Sequence, residues 1–328
     1  MNKSLNFQRW LFMNLLLLLG LGVIVSIFSF LGNPLVSPLS LFSGDNPIAG
    51  DLYFHARLPR TLLAVFVGAA LSSSGVAFQS LLRNPLADPY ILGVSGGAAL
   101  GGVLALALNL PFSLISVLAF GFALGSLFLI YFVAKVEGRL PAHSLLLTGV
   151  IFNAFAFALI LLINSLVTLG EAHQILFLLM GSLEARPMAE VFWVGLFTFL
   201  GLAILVFQSS RMNVISLGDE TAAQLGVTPA THRKIIFFAA SVMVGASVAV
   251  AGLIGFVGLV VPHVCRMIFG PDHRVLMPLS ALGGGLFLVL CDFLARTLVS
   301  GAGFQTQLPI GVVTALIGAP FFVWLMKK

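Results

Sequence analysis

The chain has 328 residues, of which 59% are hydrophobic and only 8% are charged, with a mean hydropathy of +1.12 and a formal net charge of +5. This composition excludes a water-soluble globular protein, because too little polar surface is available to cover one. A bilayer span needs about 20 apolar residues, and lipid leaves no partner for exposed backbone groups. The long apolar runs therefore predict an all-α polytopic membrane protein, and the alternation of barrel strands is absent. The charge requires no nucleic-acid partner.

Ten apolar runs predict ten membrane-spanning helices, and we treat residues 1–328 as a single transmembrane domain. In chain order the predicted spans are 11–31, 61–82, 91–109, 112–134, 144–166, 191–208, 235–252, 253–269, 275–295 and 308–326. The boundary near Gly252 is the weakest of these. The first run could be a signal peptide, but its length and the lack of a small-residue cleavage site favour a retained helix.

The positions of the basic residues predict the orientation of the chain. An even number of spans places both termini on one side, together with twelve of the 16 Lys and Arg residues. Only four fall on the other side: Arg57, Arg60, Arg186 and Arg296. Because cytoplasmic loops carry an excess of Lys and Arg, we expect both termini in the cytoplasm and segments 44–60, 167–190 and 296–307 outside.

The sequence offers little that could perform covalent chemistry. Cys265 and Cys291 fall within or at the edge of predicted spans, where cysteine behaves as a small hydrophobe, so no disulfide framework is indicated. No His/Cys cluster has metal-binding spacing, and none of the five lysines follows a glycine-rich Walker A loop. We predict a non-enzymatic protein with no metal or cofactor of its own. If it uses ATP, another chain must hydrolyse the nucleotide.

One polar segment, 211–234, interrupts the apolar pattern between the sixth and seventh predicted spans. Ser216 followed three residues later by Asp219 fits a capping box, and Glu220 adds negative charge at the same helix N-terminus. We expect Gly226 to end this helix. Thr228 and Pro229 then fit the start of a second short helix.

Two short helices with a tight bend would form a knob on the cytoplasmic face. The alternative is a helix lying on the lipid surface, but such helices usually carry Lys and Arg on their polar face. Asp219 and Glu220 therefore favour a docking element for another protein.

Six segments along almost the whole chain resemble, in order and spacing, the permeases of ABC importers for iron chelates, haem and vitamin B12, the FecCD type. They are RLPRTLLAVFVGAALSSSG (57–75), RNPLADPYILGVSGGA (83–98), LGDETAAQLGV (217–227), GLIGFVGLVVPHVCR (252–266), DHRVLMPLSAL (272–282) and LPIGVVTALIGAPFFVWLM (308–326).

This resemblance implies a type II ABC importer permease fold with ten helices in a bacterial inner membrane. It also implies a second copy of the chain, two ATP-binding cassette subunits that carry ATP and Mg, and a periplasmic or lipid-anchored substrate-binding protein.

The same resemblance assigns the knob to ATPase coupling, with apolar contact from Leu217, Ala222 and Leu225, polar contact from Asp219 or Glu220, and turns at Gly218 and Gly226. No covalent chemistry takes place in such a permease. Its helices rock between two states that open the pathway to one side at a time.

The resemblance also implies a cytoplasmic gate in two turns. Asn84 and Leu86 lie in RNPLADP, where prolines interrupt the apolar pattern, and a plain connecting turn with Arg83 and Asp88 in solvent is the alternative. The second narrowing falls at Ala142 and His143. Here this chain departs from the Thr and Ser of the family members that import vitamin B12, and His143 could equally face headgroups or solvent.

Outer arginines contradict the usual charge bias and need a reason. Arg57, Arg60 and Arg296 could pair locally with Asp51 and Asp292, or extend to lipid phosphates. By the family resemblance they dock the binding protein, since Arg suits bidentate recognition of acidic side chains.

A different class of protein, an ATP-independent secondary transporter, would use Asp292 and Arg296 for ion coupling. For the permease, the sequence leaves the cargo open among iron siderophores, haem and cobalamin. We further expect the glycines of 93–102 and 283–285 to pack helices closely. Pro262 should kink the eighth span near its cytoplasmic end. We expect His263 there to be a structural residue, and contact with Asp272 or the knob is the alternative.

Overall fold

The computed structural model describes residues 7–31, 50–184, 186–301 and 308–326, and these residues form a helical bundle. A π-helical turn, Leu52–Arg57, leads into α2, and a 3₁₀ turn, Pro89–Leu92, precedes α3. The helices are α1 Phe7–Phe30, α2 Leu58–Leu82, α3 Val94–Ala107, α4 Phe112–Ala134, α5 Ala142–Leu166, α6 Leu169–Met180, α7 Met188–Ser216, α8 Asp219–Gln224, α9 Pro229–Ala251, α10 Val257–Phe269, α11 His273–Gly301 and α12 Ile310–Met326.

Each of the ten predicted spans corresponds to one of these helices, which confirms the all-α membrane fold. Six helices of the described part are long and apolar enough to cross a bilayer by themselves, namely α2 with its π-turn, α4, α5, α7, α9 and α11. Helices α3, α10 and α12 are shorter, and the backbone before each of them is not α-helical. The sequence did not predict α6, which occupies part of segment 167–190.

Helix α2 forms the centre of the bundle and packs most extensively against α11, with α7, α9 and α10 around it. Small residues allow the close contact with α11: a Cβ atom added to Gly68 would overlap the Gly284 carbonyl, and the reverse also holds. Gly75 meets Gly258 of α10 in the same way. Such small surfaces let helices pack closely where no hydrophobic effect drives them together. The expected packing role of the second glycine cluster is thereby confirmed.

The 3₁₀ turn before α3 and the segment before α10 meet inside the bundle, and the Tyr90 side chain forms hydrogen bonds between them. The Tyr90 hydroxyl, in the 3₁₀ turn, donates a hydrogen bond to the Ile254 carbonyl at 2.9 Å and accepts one from the Ile254 amide at 2.7 Å. Asn153 of α5 donates to the Tyr90 carbonyl at 2.7 Å. Irregular backbone at membrane depth is tolerated only where protein groups replace the missing partners. These bonds therefore fix the turn that joins α2 to α3.

Pro262 lies inside α10 and has no N–H to offer the Gly258 carbonyl. The Gln79 amide of α2 donates to that carbonyl instead, at 3.3 Å, while its oxygen accepts from Arg266 at 2.7 Å. His263 fits the favoured interpretation of a structural histidine, and a contact with Asp272 is not among the described contacts. The His263 ring packs edge-on against Phe322, and Asp272 bonds to Asn213 and Arg274.

Helix α6 begins with a capping box that is visible in the sequence TLGE. The Thr168 hydroxyl accepts from the Glu171 amide, and the Glu171 carboxylate accepts from the Thr168 amide at 2.8 Å. The first of these hydrogen bonds is 3.4 Å long. The hydrogen bond from the Thr168 amide, with others from Asn109 and the Thr168 hydroxyl, holds the pKa of the Glu171 carboxyl below its usual range. The carboxylate thus joins α6 to the turn after α3.

Substituting Gly284 with Val should destabilise the protein, because the new side chain would overlap α2 backbone at the tightest helix contact. Overpacking of this kind costs about 1–3 kcal/mol. Thermal unfolding in detergent, followed by size-exclusion chromatography after heating, measures the effect. Gly121→Val is the matched control, since a Cβ atom there has nothing within 4 Å. Equal melting temperatures for the two variants would contradict the packing role of Gly284.

Candidate functional site

The polar segment contains one short helix, α8, which lies between the long helices α7 and α9. Gly218 precedes it with φ 125°, and Gly226 follows it with φ 78°. The Val227 amide bonds to the Ala222 carbonyl at 2.9 Å and the Gly226 amide to the Ala223 carbonyl at 3.0 Å, which is a Schellman motif. Only glycine adopts these left-handed conformations without strain. The prediction that Gly226 ends this helix is confirmed.

Two details of the predicted knob are wrong. Ser216 belongs to the last turn of α7, where its hydroxyl donates to the Met212 carbonyl at 2.8 Å, so it does not cap α8. Pro229 begins the long helix α9 and not a second short helix. The knob is therefore one helix of six residues between the ends of two long helices.

Exposure divides the residues that we expected to meet an ATPase. The side chains of Leu217 and Leu225 are 66% and 61% exposed, and Glu220 is exposed as well. Ala222 is fully buried, so its predicted role as a surface contact is wrong. The sequence pattern of such a short helix did not indicate that the face with Ala222 packs against α7 and α9. The exposed pair of leucines is the apolar surface of the knob.

The Asp219 carboxylate forms ion pairs within the chain. It accepts from Arg83, which follows α2, and from Arg233 of α9 at 3.0 Å. Arg233 is 5% exposed, and its other terminal nitrogen donates to the Leu140 carbonyl at 3.2 Å. We call Arg83, Leu140, Asp219 and Arg233 the Asp219 cluster, and this end of the bundle the Asp219 end. Of the two predicted polar contacts for an ATPase, Glu220 is therefore favoured over Asp219, whose carboxylate is already bound within the chain.

The four candidate gate residues adjoin the Asp219 cluster, two in the turn after α2 and two at the start of α5. Asn84 and Leu86 follow Arg83 and are exposed, and the Asn84 side chain accepts from the Leu86 amide at 2.9 Å. Ala142 and His143 follow Leu140 at the start of α5, and His143 is exposed. Each pair is therefore close in sequence to a residue of the Asp219 cluster, the first to Arg83 and the second to Leu140. Their role as a gate stays a prediction.

A second polar cluster fixes the start of α11 at the same end. The Asp272 carboxylate accepts from the Arg274 amide and side chain and from Asn213 of α7. The Arg274 guanidinium, with help from Asn213, holds the pKa of the Asp272 carboxyl well below its usual range. Asn213 also accepts from the His273 amide at 2.9 Å. The base of the knob, at the end of α7, is thus tied to α11.

Asp88, in the turn after α2, differs from the expectation of a solvated residue. It is half-buried, and its carboxylate caps the 3₁₀ turn by accepting from the Tyr90 amide.

The opposite end, which we call the Asp292 end, contains the arginines expected to dock a binding protein. Arg60 pairs with the buried carboxylate of Asp292 at 2.8 Å, and Arg296 pairs with it at 3.0 Å. Arg57 is 6% exposed and donates to the Phe30 carbonyl at 2.8 Å. In the single chain Arg57 and Arg60 are buried and Arg296 is half-buried, and all three form contacts within the bundle. Their role in docking a binding protein stays a prediction. Local pairing with Asp292, the alternative explanation, is what the structure contains.

A family model, related sequences and a solved structure each match this chain over most of its length. The model of the FecCD transport family matches residues 15–328. The chain is 42% identical over 275 residues to the cobalamin import system permease protein BtuC of Halobacterium salinarum, covering 83% of this chain and 72% of that protein. It is 38% identical over 325 residues to the hemin transport system permease protein HmuU of Yersinia pestis, covering 95% and 96%. A solved metal-chelate type ABC transporter in an inward-facing conformation superimposes with a TM-score of 0.86 at 34% identity, covering 96% of this chain and 99% of the other.

The chain belongs to the FecCD transport family. It is a multi-pass permease subunit of an ABC importer, and members of this family are non-catalytic membrane subunits that work with a separate ATPase. For this FecCD permease, the idea of ion coupling through Asp292 and Arg296 loses its basis, since two arginines already neutralise the carboxylate.

Replacing Asp292 with Asn should destabilise the FecCD permease, because Arg60 and Arg296 would lose the charge that compensates them in a buried site. Breaking a buried ion pair costs about 3–5 kcal/mol. The yield of monodisperse protein and its melting temperature in detergent report this loss. Asp51→Asn, at a carboxylate that is 82% exposed, is the control and should change neither. A stable Asp292→Asn protein with altered ion dependence of uptake would instead support ion coupling.

Proposed function

We propose that two copies of this chain form the membrane pathway of an importer that delivers a metal chelate to the cytoplasm. The observation that carries the proposal is the exposed knob at the Asp219 end, on a chain whose sequence has no nucleotide-binding loop of its own. An ATPase that closes on ATP can push on such a knob. Alternating access then follows if the two copies rock against each other.

The cargo class rests on the relatives. One of them imports cobalamin and another imports hemin, and both are large, metal-centred ring compounds. We therefore propose an iron siderophore, haem or cobalamin as cargo. A periplasmic or lipid-anchored binding protein would supply the chelate at the Asp292 end. Docking through Arg57, Arg60 and Arg296 would require these side chains to exchange their contacts within the chain for acidic side chains of the binding protein.

Two ATP-binding cassette subunits would bind the Asp219 end, and ATP and Mg would reside on them. Leu217 and Leu225 would enter an apolar groove of the ATPase, with Glu220 as the polar contact. The turns at Gly218 and Gly226 position these side chains on both sides of α8.

The pathway would close towards the cytoplasm at two places. One is the turn that carries Asn84 and Leu86, and the other is the start of α5, with Ala142 and His143. Each place adjoins a residue of the Asp219 cluster, and Leu86 is 45% exposed in a single chain. A second copy could bring the equivalent side chains opposite one another. Of the basic residues in the described part, more lie near the Asp219 end, which supports a cytoplasmic location for that end and for both termini in a bacterial inner membrane.

Reconstitution in proteoliposomes tests the proposed function directly. The permease, its cognate ATPase and its binding protein are combined with haem, cobalamin or a ferric siderophore. We expect uptake of one chelate that requires ATP and the binding protein. Uptake driven by a proton gradient in the absence of the ATPase would overturn the proposal.

Leu225→Asp should weaken binding of the ATPase, because a charge would replace an exposed apolar side chain at the C-terminal end of α8. A contact of this type is worth about 1–3 kcal/mol, so we expect affinity to fall roughly tenfold or more. Co-purification of the ATPase with the permease and a titration of the two in detergent measure the change.

Leu108→Asp is the matched control for this experiment. Leu108 is 59% exposed, similar to Leu225, but it follows α3 at the Asp292 end. The control should bind the ATPase as the unmodified protein does. Equal affinity of the Leu225→Asp variant would exclude α8 as the docking element.

A further inference from the structure

We propose that Asp219 is a positioning residue that transmits movement of the knob to both candidate gate turns. This role rests on the proposed function, since it requires an ATPase to displace α8. The juxtaposition that carries it is one carboxylate, on the first residue of α8, between Arg83 at the end of α2 and Arg233 of α9.

The first contact connects α8 to the turn after α2. Arg83 is the C-cap of α2, with φ 51°, and its guanidinium binds the Asp219 carboxylate. Asn84 follows directly, and its amide bonds back to the Gln79 carbonyl at 3.1 Å. Among the described contacts of Asp219, this is the one that reaches a part of the chain distant in sequence, 136 residues away. Displacement of α8 therefore acts on the start of the turn that carries Asn84 and Leu86.

The second contact connects α8 to the turn between α4 and α5. Arg233 binds Asp219 through one terminal nitrogen and the Leu140 carbonyl through the other. Leu140 is buried and lies two residues before Ala142. Because the guanidinium is planar and rigid, a shift of the carboxylate moves both hydrogen bonds together. The same carboxylate thus acts on the turn before α5, the helix whose first residues are Ala142 and His143.

The exposure of the two ion pairs of Asp219 indicates whether they mainly position the turns or mainly stabilise the fold. The side chains of Arg83 and Asp219 are 38% and 53% exposed, and ion pairs in such surroundings add little to stability. The arginine of the second pair is nearly buried, yet the carboxylate remains accessible to water. Loss of the Asp219 charge should cost some stability, because the buried Arg233 loses its partner, but less than at Asp292, because the Asp219 carboxylate is open to water. The variant should still fold, while the two turns lose their common attachment to α8.

The experiment compares Asp219→Asn, Arg83→Gln and the double variant in proteoliposomes with the ATPase and the binding protein. We expect ATPase binding and ATP hydrolysis to persist, and uptake per ATP hydrolysed to fall roughly tenfold in Asp219→Asn. Arg83→Gln should give a smaller loss, and the double variant should be no worse than Asp219→Asn, because the pair acts as one unit. Asp219→Glu, which restores the carboxylate, should recover most of the ratio.

Glu137→Gln is the matched control. Glu137 is an exposed carboxylate in the turn between α4 and α5, at the same end of the molecule. This variant should keep the ratio of the unmodified protein. Hydrogen exchange adds a direct readout: residues 84–92 and 136–141 should exchange faster in Asp219→Asn, and residues 84–92 should be unchanged in Glu137→Gln.

An unchanged ratio of uptake to hydrolysis in Asp219→Asn overturns the proposal. If that variant fails to assemble, Arg83→Gln decides the question, because its side chain lies at the surface and an unchanged ratio there excludes the link to the first turn. If the unmodified complex shows no ATP-dependent uptake, the proposed function itself is wrong, and the coupling role falls with it. The two failures are therefore distinguishable.

Discussion

Lipid offers no hydrogen-bond partners, and the architecture of this permease depends on how it satisfies backbone that is not α-helical. The Tyr90 hydroxyl serves both the amide and the carbonyl of Ile254, and Gln79 serves the carbonyl that Pro262 leaves without a donor. These bonds allow α3 and α10 to begin inside the bundle and not at its surface. They also fix the turn after α2, and so they determine where Arg83 and Asn84 lie relative to the knob.

The few charges are arranged as two similar motifs at opposite ends of the bundle. Asp292 lies between Arg60 and Arg296, and Asp219 lies between Arg83 and Arg233. Burial gives them different consequences. The carboxylate of Asp292 is sheltered from water, so its loss leaves uncompensated charge in the bundle. The carboxylate of Asp219 is half-exposed, so its pairs set position more than stability. One motif therefore stabilises the fold, and the other suits a part that moves.

Local rules predicted some elements of the structure and missed others for identifiable reasons. The ten spans were predictable because each needs a long apolar run, and Gly226 was predictable because a left-handed helix end favours glycine. Helix α6 was missed because it is too short to span a bilayer, although its capping box at Thr168 and Glu171 was readable. The cap at Ser216 was wrong because α7 extends through that residue and makes its hydroxyl a partner of its own helix.

The sequence by itself determined the membrane class, the ten long apolar segments, the place of the knob and the resemblance to a permease family. These features depend on composition, on runs of neighbouring residues and on motif order, all of which are local. Only the tertiary structure decided that Ala222 is buried and that Asp219 binds Arg83 and Arg233. It also decided that Arg57, Arg60 and Arg296 point into the bundle, where Asp292 meets Arg60 across 232 positions of the chain. Such contacts depend on which helix faces meet, and packing in three dimensions, not local pattern, sets those faces.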